Sequence, residues 1–235
     1  MNTERKPIIA VRDVHKFYTR GKERIDVLHG LNLDVFAGQL VALMGPSGSG
    51  KTTLMNIIAG IDFPSAGKVT VNGRDIQGRN EDDLAAWRTR NIGYVFQSYN
   101  LVPVLTAYEN VELPLLLLGL SRKRRREQVM NALEIVGMAD RKDHLPNQLS
   151  GGQEQRVAIA RAIVPDPPVI LGDEPTGDLD RENAEQFLAL VETLCREFEK
   201  TFVVVTHDPK VGEHAGRVLH MDKGKVGTAV AGETQ

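Results

Sequence analysis

The run Gly45-Pro46-Ser47-Gly48-Ser49-Gly50-Lys51-Thr52-Thr53 constrains the fold more than any other segment, because it matches G-x-x-x-x-G-K-[ST] and follows the apolar stretch from Leu40 to Met44. A strand that enters a glycine-rich turn and leaves as a helix wraps successive backbone N–H groups around an anion. The positive end of the helix dipole stands behind them. In this pattern Lys51 reaches the β- and γ-phosphates of a bound triphosphate, and Thr52 offers its hydroxyl to Mg²⁺. Leu54, Ile57 and Ile58 give the segment after the loop an apolar helical stripe. The alternative is an ordinary strand-turn-helix connection with a surface lysine; the flanking strand and the stripe argue against it.

The 235 residues suffice for one compact domain, or two intimately packed subdomains, with a sizeable core. Twenty-nine basic against thirty-one acidic residues leave a formal charge of −2, which is no electrostatic footprint of nucleic-acid binding. Cys195 is the only cysteine, so a disulfide framework and a cysteine zinc site are excluded. It shares a helical pattern with Phe187, Leu190, Val191, Leu194 and Phe198, which predicts a core position. The N-terminus lacks an apolar signal core, and the leucines from Leu113 to Leu120 fall short of the ~20 residues that span a bilayer. A soluble chain is the expectation.

Short β-type runs at Ile8 to Val11, Val27 to Val35 and Lys68 to Val71 predict an antiparallel sheet beside a nucleotide core, and Asn91 to Phe96 a further strand. From Ser98 to Val164 the pattern is mainly helical, with Val129, Leu133 and Val136 on one face and Gly137 as a stop. Val169 to Leu171 and Thr201 to Val205 read as parallel strands buried on both faces, joined by a crossover helix from Glu182 to Lys200. The chain therefore reads as α/β, with residues 1–97 and 165–235 forming a core and 98–164 a helical insert within a single domain. The cluster Arg122-Lys123-Arg124-Arg125-Arg126 follows Ser121 and reads as a solvated first helical turn, with proximity to anionic lipid headgroups as the alternative.

Asp173 and Glu174 end a buried strand, where open α/β sheets bind ligands. Asp173 suits a Mg²⁺ role through water, and Glu174 can accept a proton from a water attacking the γ-phosphate. A helix-start cap is the duller reading of such a pair, weakened here by the phosphate loop upstream.

Leu149-Ser150-Gly151-Gly152-Gln153, followed by the helical run from Glu154 to Ala162, carries a specific resemblance. With it the chain resembles, over essentially its whole length, the nucleotide-binding subunits of ATP-binding cassette (ABC) transporters. The motifs stand in that family's order: Tyr18, Gly45 to Thr53, Gln97, Leu149 to Gln153, Asp173-Glu174, Gly177 to Asp180, and His207. Singly, Tyr18 reads as an edge-strand aromatic, Gln97 as a surface amide and His207 as a cap beside Asp208; in register they read as one site.

The resemblance implies the ABC ATPase fold: a P-loop NTPase (RecA-like) core with an antiparallel β subdomain and a helical insert. It implies ATP and Mg²⁺ as ligands. Tyr18 would stack on adenine, Thr52, Gln97 and Asp173 would serve the metal, and Lys51, Glu174 and His207 would serve catalysis. Ser150, Gly151, Gly152 and Gln153 would bind the ATP of a second copy, with Asp180 crossing the interface of a head-to-tail dimer. Phe96 to Leu101, Leu105 to Val111 and Asp173 to Gly177 look like the lipoprotein-release and macrolide-exporter branch, although Glu154 and Gly172 depart from it where glutamine and alanine are common. That branch implies an integral membrane permease partner with a large periplasmic domain and a peripheral place on the cytoplasmic face of the inner membrane; with the near-balanced charge, no nucleic-acid partner is expected. Neither a regulatory C-terminal domain nor direct contact with a cargo is expected. The alternative is a cell-division type ATPase that signals to a periplasmic hydrolase. The partner's cytoplasmic helix would dock on the segment from Ser98 to Pro114, with Tyr99, Leu101 and Val102 exposed and Leu105 and Val111 packed inward.

Overall fold

In the computed structural model, which describes residues 6–229, the strands and helices follow one another as β1 (Ile9–Arg20), β2 (Glu23–Val35), β3 (Leu40–Met44), α1 (Lys51–Ile58), β4 (Ala66–Val71), β5 (Arg74–Asp75), α2 (Glu81–Asn91), β6 (Ile92–Phe96), α3 (Ala107–Glu112), α4 (Arg122–Ile135), α5 (Gly151–Ile163), β7 (Val169–Asp173), α6 (Arg181–Phe198), β8 (Thr201–Val205), α7 (Pro209–His214), β9 (Arg217–Asp222) and β10 (Lys225–Ala229).

Two sheets divide the strands. A six-stranded sheet has the order β10-β9-β3-β8-β7-β6, and a four-stranded sheet has the order β2-β1-β4-β5. The continuous apolar runs take the middle of the larger sheet. β3 pairs parallel with β8 and β9, and β7 pairs parallel with β8 and β6. All five residues of β8 are buried, as are the first four of β3 and of β7, because helices cover both faces. The smaller sheet is antiparallel throughout, as its alternation predicts. Its first strand runs nine residues beyond the expected Val11, to Arg20. Register shifts between Val11 and Lys16, with Asp13 at φ 47, break the period-two pattern and hide its continuity in the sequence.

The helices begin where their caps dictate. Asn80 caps α2, whose first turn carries Glu81, Asp82 and Asp83 against the helix dipole; this helix goes unread in the sequence pattern above. Ser121 caps α4, and Arg122, Lys123, Arg124 and Arg126 of its first turns are solvated. Arg125 is the exception, donating from Nε to Glu112 Oε1 at 2.9 Å. Val129, Leu133 and Val136 are fully buried, and Gly137 at φ 70 ends the helix in the left-handed conformation. Between β6 and β7 there is no strand among the described residues. α6 buries Phe187, Leu188, Val191, Leu194 and Cys195 against the central sheet, and burial pushes the Cys195 thiol up to about 11.

One expectation needs correcting. Tyr99 is buried at 9% exposure, and Leu101 is half-buried against the core. The Arg161 guanidinium of α5 donates to Tyr99 O at 2.6 Å and Asn100 O at 2.5 Å, holding both residues at positive φ. That turn sends the tyrosine ring inward, its hydroxyl facing the start of α5 at Gly151. Val102 is exposed, Val104 more so at 80%, while Val111 is buried and Leu105 half-buried.

Candidate nucleotide site

The loop from Gly45 to Gly50 joins β3 to α1 and can close only through glycine. At Gly45, φ 151, an added Cβ would stand 2.1 Å from Met221 O. At Gly50, φ 100, it would meet Leu28 and Met221 side chains at 2.9 Å. Lys51 bends back over this loop, Nζ donating to Gly45 O at 2.8 Å and Pro46 O at 2.9 Å.

A cleft of about 860 Å³ opens over the loop. It gathers Gly45 to Gly48, Gly50 to Thr53, Gln97, Asp173, Glu174 and His207, drawn from four separate stretches of sequence. Val27, Phe96, Ser98, Asn100 and Val205 also line it, none of them assigned to the nucleotide from sequence. Ser49 lies beneath the loop, buried, its Oγ without a partner. Tyr18 stands outside the lining, 42% exposed, its phenol donating to Asp62 Oδ2 at 2.6 Å with Lys16 Nζ 4.6 Å from the ring centroid. Asp62 also accepts from Lys16 Nζ at 2.5 Å. Burial and the bond to Asp62 hold the Tyr18 phenol above its ordinary value, while a hydrogen bond with Thr53 at the cleft edge opposes them.

The two carboxylates at the end of β7 differ in setting. Asp173 is raised, first by burial and then by the neighbouring Glu174, against the pull of Lys51 and of a hydrogen bond with Thr52. Glu174 adopts φ 47, uncommon for a residue with a Cβ and costing about 1–3 kcal/mol in such positions. Its N–H donates to Val205 O at 2.9 Å, and its Oε2 accepts from the His207 backbone N–H at 3.2 Å. The His207 ring Nδ1 lies 3.0 Å from the same oxygen. Gln97, at the end of β6, donates from Nε2 to Asp178 Oδ1 at 3.2 Å, a link absent from the sequence argument.

Asp173 and the Thr52 hydroxyl make a hard oxygen pair beside the anion loop. Mg²⁺ takes one or two carboxylates together with substrate phosphates, so this donor set fits it. Among the described residues no group of three or more His, Cys, Asp or Glu could hold a metal by itself.

The second glycine-rich motif lies apart. Ser150 to Gln153 and Asp180 do not line the cleft. Ser150 caps α5 reciprocally with Gln153, Oγ accepting from Gln153 N–H at 3.3 Å and Gln153 Oε1 accepting from Ser150 N–H at 3.0 Å. Gly152 is pressed on α6, where a Cβ would stand 2.0 Å from Asn183 Oδ1. Asp180 caps α6 and accepts from Asn183 N–H at 2.8 Å.

Sequence reasoning also passed over Gln155 and Arg161. Gln155 follows Gly152 and precedes Ile159 and Ala162 on a buried helical stripe, and a polar residue on such a stripe is itself a signal.

The family model described as ABC transporter matches residues 28–177. The chain is 44% identical over 220 residues to "Lipoprotein-releasing system ATP-binding protein LolD" of Bordetella pertussis, covering 94% of this chain and 95% of that protein. It is 44% identical over 220 residues to "Macrolide export ATP-binding/permease protein MacB" of Brucella melitensis, covering 94% of this chain and 34% of that protein. Among solved structures it is similar, with a TM-score of 0.85 and 40% identity over 95% of this chain and all of the other, to a dimeric post-hydrolysis state of the ATP-binding cassette MJ0796 bound to ADP and Pi.

Proposed function

The chain belongs to the ABC transporter family and is an ATP-binding, ATP-hydrolysing cassette; from that premise we propose that it drives a membrane partner by closing on ATP as a head-to-tail pair. The observation that carries the reading is the Glu174 carboxylate, fixed by His207 in the same cleft as Lys51 and Thr52.

Lys51 holds the β- and γ-phosphates, and the backbone N–H groups from Gly48 to Thr52 cradle them with the dipole of α1. Glu174 takes the proton of the attacking water, while His207 orients that carboxylate and faces the γ-phosphate. Thr52 and Asp173 would hold Mg²⁺, with Gln97 nearby, and the ion would supply charge neutralisation at the phosphates. Tyr18 gives an aromatic face for adenine at the cleft edge. Residues 98–164 act as a helical insert on the core that the described residues on either side of it form, in keeping with the absence of any strand between β6 and β7.

Ser150 to Gln153 form a second helix start, with the Ser150 and Gln153 N–H groups engaged in its cap, and they lie outside the chain's own cleft. A second copy, turned head to tail, supplies the triphosphate they face, and Asp180 reaches across. The MJ0796 structure is dimeric, which supports this arrangement. Loss of the γ-phosphate then releases the pair.

No helix among the described residues is long and apolar enough to cross a membrane. We take the partner to be an integral permease subunit with a large periplasmic domain, and the chain to sit peripherally on the cytoplasmic face of the inner membrane. The likeness to proteins named for lipoprotein release and macrolide export supports that branch over a cell-division signalling ATPase. Glu174→Gln tests the chemistry: ATP binding is retained, turnover falls about 10²–10⁴-fold, and ATP-bound dimers accumulate. Turnover at the parental rate removes Glu174 from the mechanism.

A further inference from the structure

One buried amide ties the helix that carries Ser150 to the turn that carries Glu174, and we propose that Gln155 is a positioning residue for hydrolysis. The proposal rests on the reading of Glu174 as general base. Gln155 lies in the second turn of α5 with 1% of its surface exposed. Its Nε2 donates to Pro175 O at 2.7 Å, the carbonyl immediately after Glu174. Its Oε1 has no partner.

That half-satisfied state is informative. Burying a carboxamide with one unpaired oxygen disfavours the fold, and a leucine or methionine of similar length would fill the same space without it. Packing therefore does not account for a glutamine here. The one bond it makes does, because it grips a turn held in a strained shape. Glu174 sits at φ 47, with Gly177 N–H donating to Glu174 O at 3.0 Å. Pro175 has no N–H to anchor, so its carbonyl is the handle the turn offers. Gly172 beneath leaves the proline ring its room, since a Cβ there would stand 3.2 Å from Pro175 Cγ. The turn is thus held from the side, by α5.

The geometry joins two ends of one device. Ser150 and Gln153 cap the same helix five and two residues before Gln155. An anion drawn to that cap by a second copy moves or stiffens the first turns of α5, and Gln155 passes this to the Glu174 turn. Hydrolysis then answers to occupancy of the shared site, while binding in the chain's own cleft does not use the bond.

The test compares Gln155→Leu with the parent as purified full-length chains. The expected result is a fall in kcat of about 10-fold or more, as small misplacements of a reacting group produce, with the KM for ATP within about twofold. A parental kcat overturns the proposal, and so does a fall matched by weaker ATP binding. Should Gln155→Leu fail to fold, Gln155→Met is read by the same two criteria. Glu174→Gln assayed alongside separates the premises: a slow Glu174→Gln with a parental Gln155→Leu overturns the positioning role alone. An active Glu174→Gln overturns the general-base reading and the role of Gln155 with it.

Discussion

His207 grips Glu174 twice through one oxygen, with backbone N–H and ring Nδ1 at 3.2 and 3.0 Å from Glu174 Oε2. The hydrogen bond to Glu174, then its charge, raises the His207 pKa above the ordinary histidine value. A raised folded-state pKa favours the folded chain below the unfolded value of about 6.5, and the benefit disappears as pH rises through the folded value. The His207 side chain is 77% exposed, so solvent screens this contribution to stability.

The same pair makes a clean titration. In an NMR pH titration of the imidazole, parent His207 should titrate above about 6.5, and Glu174→Gln should bring it down toward that value. Identical curves for the two chains mean that the carboxylate and the ring are not paired in solution.

Lys51 spends its ammonium on Gly45 O and Pro46 O, two carbonyls of the loop it serves. Lys51→Ala should weaken ATP binding by about 1.5–3 kcal/mol, the range for hydrogen bonds to charged groups, or roughly 10- to 150-fold in Kd. Tyr18→Ala should cost about 1–3 kcal/mol if adenine stacks there, and Tyr18→Phe should keep that affinity while losing the bond to Asp62. Nucleotide titrations by calorimetry check all three. Equal affinities for Tyr18→Ala and the parent remove Tyr18 from the site.

Ser150→Arg probes the shared site better than a change at Gly152, where any side chain collides with Asn183 inside one chain. Ser150→Arg also removes a helix cap, at about 1 kcal/mol, yet should bind ATP as the parent does and hydrolyse almost none. Mixing it with Lys51→Ala chains creates one composite site with both halves intact in each mixed dimer, so activity should reappear only in the mixture. Parental activity in purified Ser150→Arg homodimers rules out a site shared between copies.

The nucleotide loop, the acidic strand end and the parallel core were legible because each rests on local chemistry: glycines where a Cβ collides, and apolar runs where both faces are covered. Cys195 was placed correctly for the same reason, by the helical stripe it shares with Val191 and Leu194. Its thiol, pushed up to about 11, should react with a thiol reagent in the native chain only as slowly as the chain opens, and rapidly in denaturant. Fast labelling of the native protein contradicts the core placement. What stayed hidden depends on contacts far apart in sequence. Arg161 capturing Tyr99 O and Gln97 meeting Asp178 are bonds across 62 and 81 positions, and no window of the sequence contains both partners. Tyr99 departs from expectation on that account: loop composition points to exposure, and the arginine that turns its ring inward lies 62 positions away.

The corrected loop changes where a partner should be sought. Asn110 is fully buried, its amide donating to Val102 O, Leu105 O and Thr106 O and accepting from Val102 N–H. Those bonds fix the backbone from 102 to 106 and hold Val104 out, 80% exposed, without contributing it to the core. An apolar side chain presented on a rigid loop is suited to a protein contact. Val104→Glu should therefore leave ATP affinity and thermal stability of the isolated chain within about 0.5 kcal/mol, as surface changes do, while reducing co-purification with the membrane partner and partner-stimulated ATPase activity. Leu101→Glu would confuse the comparison, because Leu101 packs on the core and a buried charge destabilises the chain itself. Unchanged co-purification and unchanged stimulation in Val104→Glu place the docking surface away from this loop.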